Sequence, residues 1–100
     1  MRRFLTTILF FFTLAFTILA QDLQVLLTSG MANLQTKRYR EAVAEFTNYL
    51  ELEKSENLSA YLGRAEAYFN LSEWGKAIAD FEKAEQITPG SGNLGLARTY

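Results

Sequence analysis

The chain is 100 residues long, with ten basic and eleven acidic side chains and a formal net charge of −1. It contains no His and no Cys. That removes disulfide stabilisation and the usual zinc, haem and thiol or hydroxyl–imidazole constellations.

The first element is the N-terminus. Met1, Arg2 and Arg3 make a short basic start, residues 4–20 carry no charge and are rich in Phe and Leu, and Gln21 and Asp22 restore polarity. A basic start, an apolar run and a small residue at its end have the layout of a secretory signal peptide, with cleavage expected after Ala20. The alternative is an uncleaved membrane anchor. Its apolar run lies at the lower limit for a span, and Thr6, Thr7, Thr13 and Thr17 weaken it. In both cases Arg2 and Arg3 stay cytoplasmic and the remainder crosses the membrane. A lipoprotein anchor is excluded because there is no Cys. Without Arg2 and Arg3, residues 21–100 hold eight basic and eleven acidic side chains, a net charge of −3. That mild acidity argues against nucleic acid or an anionic membrane surface as partner.

Residues 23–56 read as a loose helical hairpin, with Lys37, Arg38 and Arg40 clustered around its turn as a solvated face. Residues 58–91 read as a tighter one. Leu58, Tyr61, Leu62, Ala65, Tyr68, Phe69 and Leu71 follow helical spacing, with Asn57 expected as N-cap. Ser72 is expected to end this helix and cap the next, placing Glu73 in a first turn where the dipole favours an acid. Trp74, Ala77, Ile78, Phe81, Ala84 and Ile87 line one face of that second helix, Glu85 being the exception. Pro89 with Gly90, Ser91 and Gly92 breaks the chain, and Thr88 is pushed towards extended geometry. Gly63, Ala65, Ala77 and Ala84 alternate with Tyr61, Tyr68, Trp74 and Phe81, the small-against-large pattern that closely packed helices require.

The two hairpins are copies. Leu26 pairs with Tyr61, Gly30 with Ala65, Tyr39 with Trp74, Ala42 with Ala77, Phe46 with Phe81 and Leu52 with Ile87, all thirty-five apart. Tyr61-x3-Ala65-x2-Tyr68 followed by Trp74-x2-Ala77-x3-Phe81-x2-Ala84-x4-Pro89 resembles a tetratricopeptide (TPR) repeat, a helix–turn–helix unit of about 34 residues. The resemblance implies an all-α fold of antiparallel hairpins stacked as a short α-solenoid. The one-residue excess in period is expected in the turn at residues 54–57. The first copy departs from the family pattern at Asn33, where an aromatic is usual, and at Tyr49, where a small residue is usual. Tyr49 is expected to widen the contact with the following helix or to swing outward.

Leu62-Gly63-x-Ala65-x2-Tyr68 returns as Leu94-Gly95-x-Ala97-x2-Tyr100, the start of a third repeat or a cap at residues 93–100, with its preceding turn about two residues short. A solenoid normally needs at least about three repeats and a polar closing helix. The sequence therefore reads as a fragment of a longer array, as a rough cap, or as an end that meets another copy or another protein, with a fragment ranked first.

By resemblance, the concave face is lined by the first helix of each repeat and binds peptides or extended protein segments. The implied groove residues are Gln24, Leu27, Met31, Leu34, Gln35, Ser59, Leu62, Glu66, Phe69, Asn70 and Arg98. Chaperone-tail binders of the family hold a carboxylate with Lys, Asn and Arg. Leu27, Met31 and Gly63 occupy such places here, so an apolar groove for an amphipathic helix or apolar peptide is the expectation. The competing reading covers the same residues by a neighbouring element or by self-association. No catalytic site is assembled by the pattern. Glu73, Asp80 and Glu82 are expected on outward faces among Lys76 and Lys83, with Lys76–Asp80 as a solvated i,i+4 pair, and Glu66 lacks a carboxylate partner. No cofactor or metal is implied. The whole reads as an exported, non-enzymatic scaffold, placed in a bacterial periplasm or envelope, with a membrane-tethered form as alternative.

Overall fold

The computed structural model describes residues 22–54 and 56–100. The expected signal segment lies outside the described residues. All regular structure in them is helical: α1 at residues 22–35, α2 at Tyr39–Leu52, α3 at Leu58–Asn70, α4 at Trp74–Ile87 and α5 at Asn93–Thr99. Successive helices pack on one another in chain order, α2 on α3, α3 on α4 and α4 on α5. The short links make neighbouring helices antiparallel.

The two hairpin turns are built alike. Lys37 and Ser72, thirty-five apart, both take positive φ, 64° and 60°. The next amide donates back five residues in each case, Arg38 N to Asn33 O at 2.7 Å and Glu73 N to Tyr68 O at 2.9 Å. This left-handed closure satisfies carbonyls that the helix end leaves unpaired. It also corrects the expected role of Ser72, which ends α3 and does not cap α4. Glu73 is the N-cap residue of α4 and makes no side-chain cap bond. A residue already in the left-handed region cannot offer its hydroxyl to the next helix as an extended N-cap residue does.

The links between hairpins are held differently. Before α3, Asn57 caps as expected, its Oδ1 accepting from Ala60 N at 2.9 Å, while its Nδ2 donates to the Tyr49 hydroxyl at 3.0 Å. Tyr49 therefore does not swing outward. It is buried, and its polar tip is satisfied by the cap of the next helix. After α4, Thr88 is extended and Gly90 has φ +94°. Glu85 accepts from Gly90 N at 2.6 Å and Gly92 N at 2.9 Å. The residue that broke the apolar stripe of α4 thus fastens the turn.

The core is two wedges. Phe46 of α2 is fully buried within a cluster of Ala42, Tyr49, Ala60 and Ala67, with Leu23, Leu26, Leu27, Leu34, Tyr39, Val43 and Leu50 packed around it. Phe81 of α4 sits with Ala65 and Ala77, flanked by Leu62, Tyr68, Phe69 and Leu96. A Cβ added at Gly30 or Gly63 would lie 2.8 or 2.5 Å from the Phe46 ring, and one at Gly95 would lie 2.3 Å from the Phe81 ring. Phe46 thus enters between α1 and α3, and Phe81 between α3 and α5.

Gly95 plays for Phe81 the part that Gly63 plays for Phe46, yet it follows Gly63 by thirty-two residues rather than thirty-five. Gly63 is the sixth residue of α3, whereas Gly95 is the third residue of α5. Relative to α3, α5 therefore begins without the first helical turn, and residues 90–92 take that place as a non-helical clasp.

Two substitutions should move stability in opposite directions. Gly63→Ala should lower it by about 1–2 kcal/mol, because the buried Phe46 ring cannot yield. Ser72→Gly should raise it by about 0.5–1 kcal/mol by relieving the left-handed backbone. Urea unfolding midpoints at constant slope would read both. A neutral Gly63→Ala would remove the wedge as the source of close packing.

Candidate functional site

The first helices α1, α3 and α5 share one side of the stack, because each lies against a Phe from a second helix. The residues expected to form a groove fall into two classes. Leu27 and Leu34 are half-buried on the Phe46 cluster, and Leu62 and Phe69 on the Phe81 cluster. These four are not free of the hairpin packing. Gln24, Met31, Gln35, Ser59, Glu66, Asn70 and Arg98 are exposed. The Asn70 amide donates to its own helix at Glu66 O, 2.8 Å away. Gln24 reaches Thr28 only at 3.5 Å.

The tightest conjunction on this side joins α3 to α5. The Arg98 guanidinium stands 4.4 Å from the centroid of the Phe69 ring, and that ring meets Trp74 edge-on at 5.3 Å. Cation–π attraction and an aromatic edge contact fix Phe69. Trp74 itself remains 47% exposed, so an aromatic surface is left open beside Arg98.

A second constellation was not foreseen. Arg64 of α3 grips Asp80 of α4 with two bonds, Nε to Oδ2 at 2.7 Å and Nη2 to Oδ1 at 2.8 Å. Its Nη1 donates to Thr47 Oγ1 of α2 at 3.2 Å, and its guanidinium lies 5.8 and 5.9 Å from the Tyr61 and Tyr68 rings. One side chain thus ties three helices. The hydrogen bond from Arg64 to Asp80 raises the guanidinium pKa, against a smaller opposing effect of burial. Asp80 is 5% exposed, so the expected outward Asp80 and its solvated pair with Lys76 are corrected. Lys76 instead lies 3.8 Å from Glu73 and over the Tyr68 ring. A signal was present in the sequence. Asp80 sits three residues after Ala77 and four before Ala84, on the buried stripe, where only a charged partner makes a carboxylate tolerable. The partner sits sixteen residues away, beyond any local spacing rule.

Three other carboxylates hold structure together. Glu85 fastens the turn at residues 90–92, Glu82 accepts from the Tyr100 hydroxyl at 3.1 Å, and Glu56 takes Lys83 at 2.6 Å. The Glu56 bond raises the Lys83 pKa. Its contribution is therefore full below the ordinary lysine value and is lost only as pH rises through the higher folded one. Among the described residues no group of three or more acidic side chains is placed to hold a metal ion.

Residues 58–91 match the family model of the tetratricopeptide repeat. No curated protein and no solved structure gives a match. The matched segment covers α3, the turn at Ser72, α4 and the clasp after it as far as Ser91. The all-α stack of antiparallel helix pairs is a tetratricopeptide-like helical repeat, a fold consistent with a protein-interaction module. The first hairpin lies outside the matched segment. It keeps the turn and the Phe wedge but not the Arg–Asp pair, since Ser29 and Glu45 stand thirty-five residues before Arg64 and Asp80.

Removing one partner of the Arg64–Asp80 pair should be costly. Arg64→Ala leaves a buried carboxylate unpaired and should cost about 2–4 kcal/mol, while Arg64→Met with Asp80→Leu should recover most of it. Chemical denaturation of both variants checks this. An Arg64→Ala chain as stable as the parent would show that the pair contributes little.

Proposed function

We propose that the chain is an exported scaffold that holds a peptide or extended protein segment on the α1–α3–α5 side, in a bacterial periplasm or envelope. The observation that carries the reading is the Arg98–Phe69–Trp74 conjunction. It sets the first helices of successive repeats side by side, with exposed polar groups next to open aromatic surface. Met31 on α1 and Glu66 and Asn70 on α3 extend the same side. A surface of apolar floor with polar groups at intervals suits a bound segment with alternating side chains or one amphipathic helix. The basic start and uncharged run of residues 1–20 support export. Among the described residues no helix is long and apolar enough to cross a membrane.

Leu62 and Phe69 are poor positions for testing the surface, because they also pack on the Phe81 cluster. Exposed positions separate binding from folding. A photo-reactive residue at Met31 or Glu66 should give adducts with one and the same partner in intact cells. At Asn48 or Ala79, exposed on α2 and α4, it should give none. Equal labelling from both sides would reject the assigned face. The intact mass of the native protein should begin at Gln21, and a mass that retains residues 1–20 would place the scaffold on a membrane tether instead.

A further inference from the structure

Residues 58–100 satisfy nearly all their charges. Arg64 holds Asp80, Lys83 holds Glu56, and Lys76 lies against Glu73. Glu82 takes the Tyr100 hydroxyl, and Glu85 takes the amides of the clasp. Two charges are left over. Among the described residues, neither the Glu66 carboxylate nor the Arg98 guanidinium has an ionic or hydrogen-bonded partner. Both are exposed, on the α1–α3–α5 side. They also occupy equivalent positions. Arg98 follows Glu66 by thirty-two residues, as Gly95 follows Gly63, and the exposed Met31 precedes Glu66 by thirty-five, the period of the first two hairpins. One row across the three first helices therefore reads apolar, acidic, basic.

The basic end of the row is preorganised. The Arg98 guanidinium lies over the Phe69 ring, and that ring is held edge-on by Trp74. Stacking uses no N–H group, so the planar fork can still take a carboxylate by two parallel bonds. The spacing of the row also selects a conformation. Helices packed about a shared ring stand about 10 Å apart. A polyproline II segment returns a side chain to the same face every third residue, a step of ~9 Å.

We propose that the row binds an extended segment of a partner protein with the pattern apolar-x2-basic-x2-acidic. Its apolar residue lies on Met31, its Lys or Arg on Glu66, and its Asp or Glu on Arg98. The proposal rests on the proposed groove and names the chemistry of its occupant. A uniformly acidic segment would meet like charge at Glu66, and a uniformly basic one would meet it at Arg98, so both are rejected. Residues 1–21 carry no acidic side chain and cannot supply the pattern.

The test uses the full chain and fluorescent Pro-rich peptides, read by anisotropy. One pair carries Leu-x2-Lys-x2-Glu in the two possible chain orders, and a second pair exchanges the Lys and the Glu. One member of the first pair should bind saturably, and its charge-exchanged counterpart should bind at least about tenfold less tightly. Raising the salt should narrow the difference, because the pairs are exposed. Glu66→Lys with Arg98→Glu should reverse the preference. Glu66→Lys alone, at an exposed position away from the join with α5, should weaken the favoured peptide about tenfold with the helical circular dichroism unchanged. No saturable binding, or equal binding of the two charge patterns, would overturn the proposal. A preference that Glu66→Lys leaves untouched would do so too. Cross-linking at Met31 and Glu66 reports on the groove separately. Adducts there without a charge preference would keep the groove and reject the pattern, whereas their absence would reject the groove itself.

Discussion

The insertion of one Phe from each second helix between the small residues of two first helices is the contact on which the stack depends. Phe46 reaches complete burial because neither Gly30 nor Gly63 carries a Cβ in its path. Phe81, buried to 6% exposure, is seated likewise, with Ala65 on one side and Gly95 on the other. A ring held on both faces joins its own hairpin to the next, so the same residue makes the unit and the array. Dispersion and burial act together here, because each ring atom finds a partner at close range. A chain without Cys has no covalent substitute for this packing.

Around that constant wedge, the links vary. The turn inside each hairpin is the same left-handed closure at Lys37 and Ser72. The link between hairpins is solved twice. Tyr49 and Asn57 join helix end to helix start in the first case, and Glu85 draws two backbone amides together in the second. The second solution uses up what would be the first turn of the next helix. Gly92 can stand where it does only because it carries no Cβ, since one there would run into the Phe81 carbonyl oxygen. The spacing of repeats along the sequence is therefore set by how each link is fastened. Their spacing in space is set by the Phe wedge.

This division explains what was legible from residues alone. Helix periodicity, the small-against-large alternation, the thirty-five-residue copy and the Asn57 cap are local patterns, and each has a local cause. A helix after the clasp was legible for the same reason, through the returning Leu-Gly-x-Ala-x2-Tyr spacing. The Arg64–Asp80 pair was not, because its partners meet only after α3 and α4 have packed. Ser72 misled because its preference for capping yields to the geometry of a closing helix. The face residues were half legible. A helical wheel places Leu62 and Phe69 to one side, but only the packed hairpin shows that side to be shared with the Phe81 cluster.

That sharing bears on how such a surface can evolve a binding role. Leu27, Leu34, Leu62 and Phe69 cannot be exchanged freely, because each also closes a core cluster. Met31, Gln35, Ser59, Glu66 and Asn70 carry no comparable packing duty. Were a segment to bind on this side, its specificity would be written at the exposed positions over a floor fixed by folding. Arg98 lies between the two classes. Its charge remains outside, but its contact with Phe69 helps to hold α5 against α3. A segment bound beside Arg98 would touch the one place where the face and the join between hairpins are the same residues, so occupancy there would be felt by the order of α5.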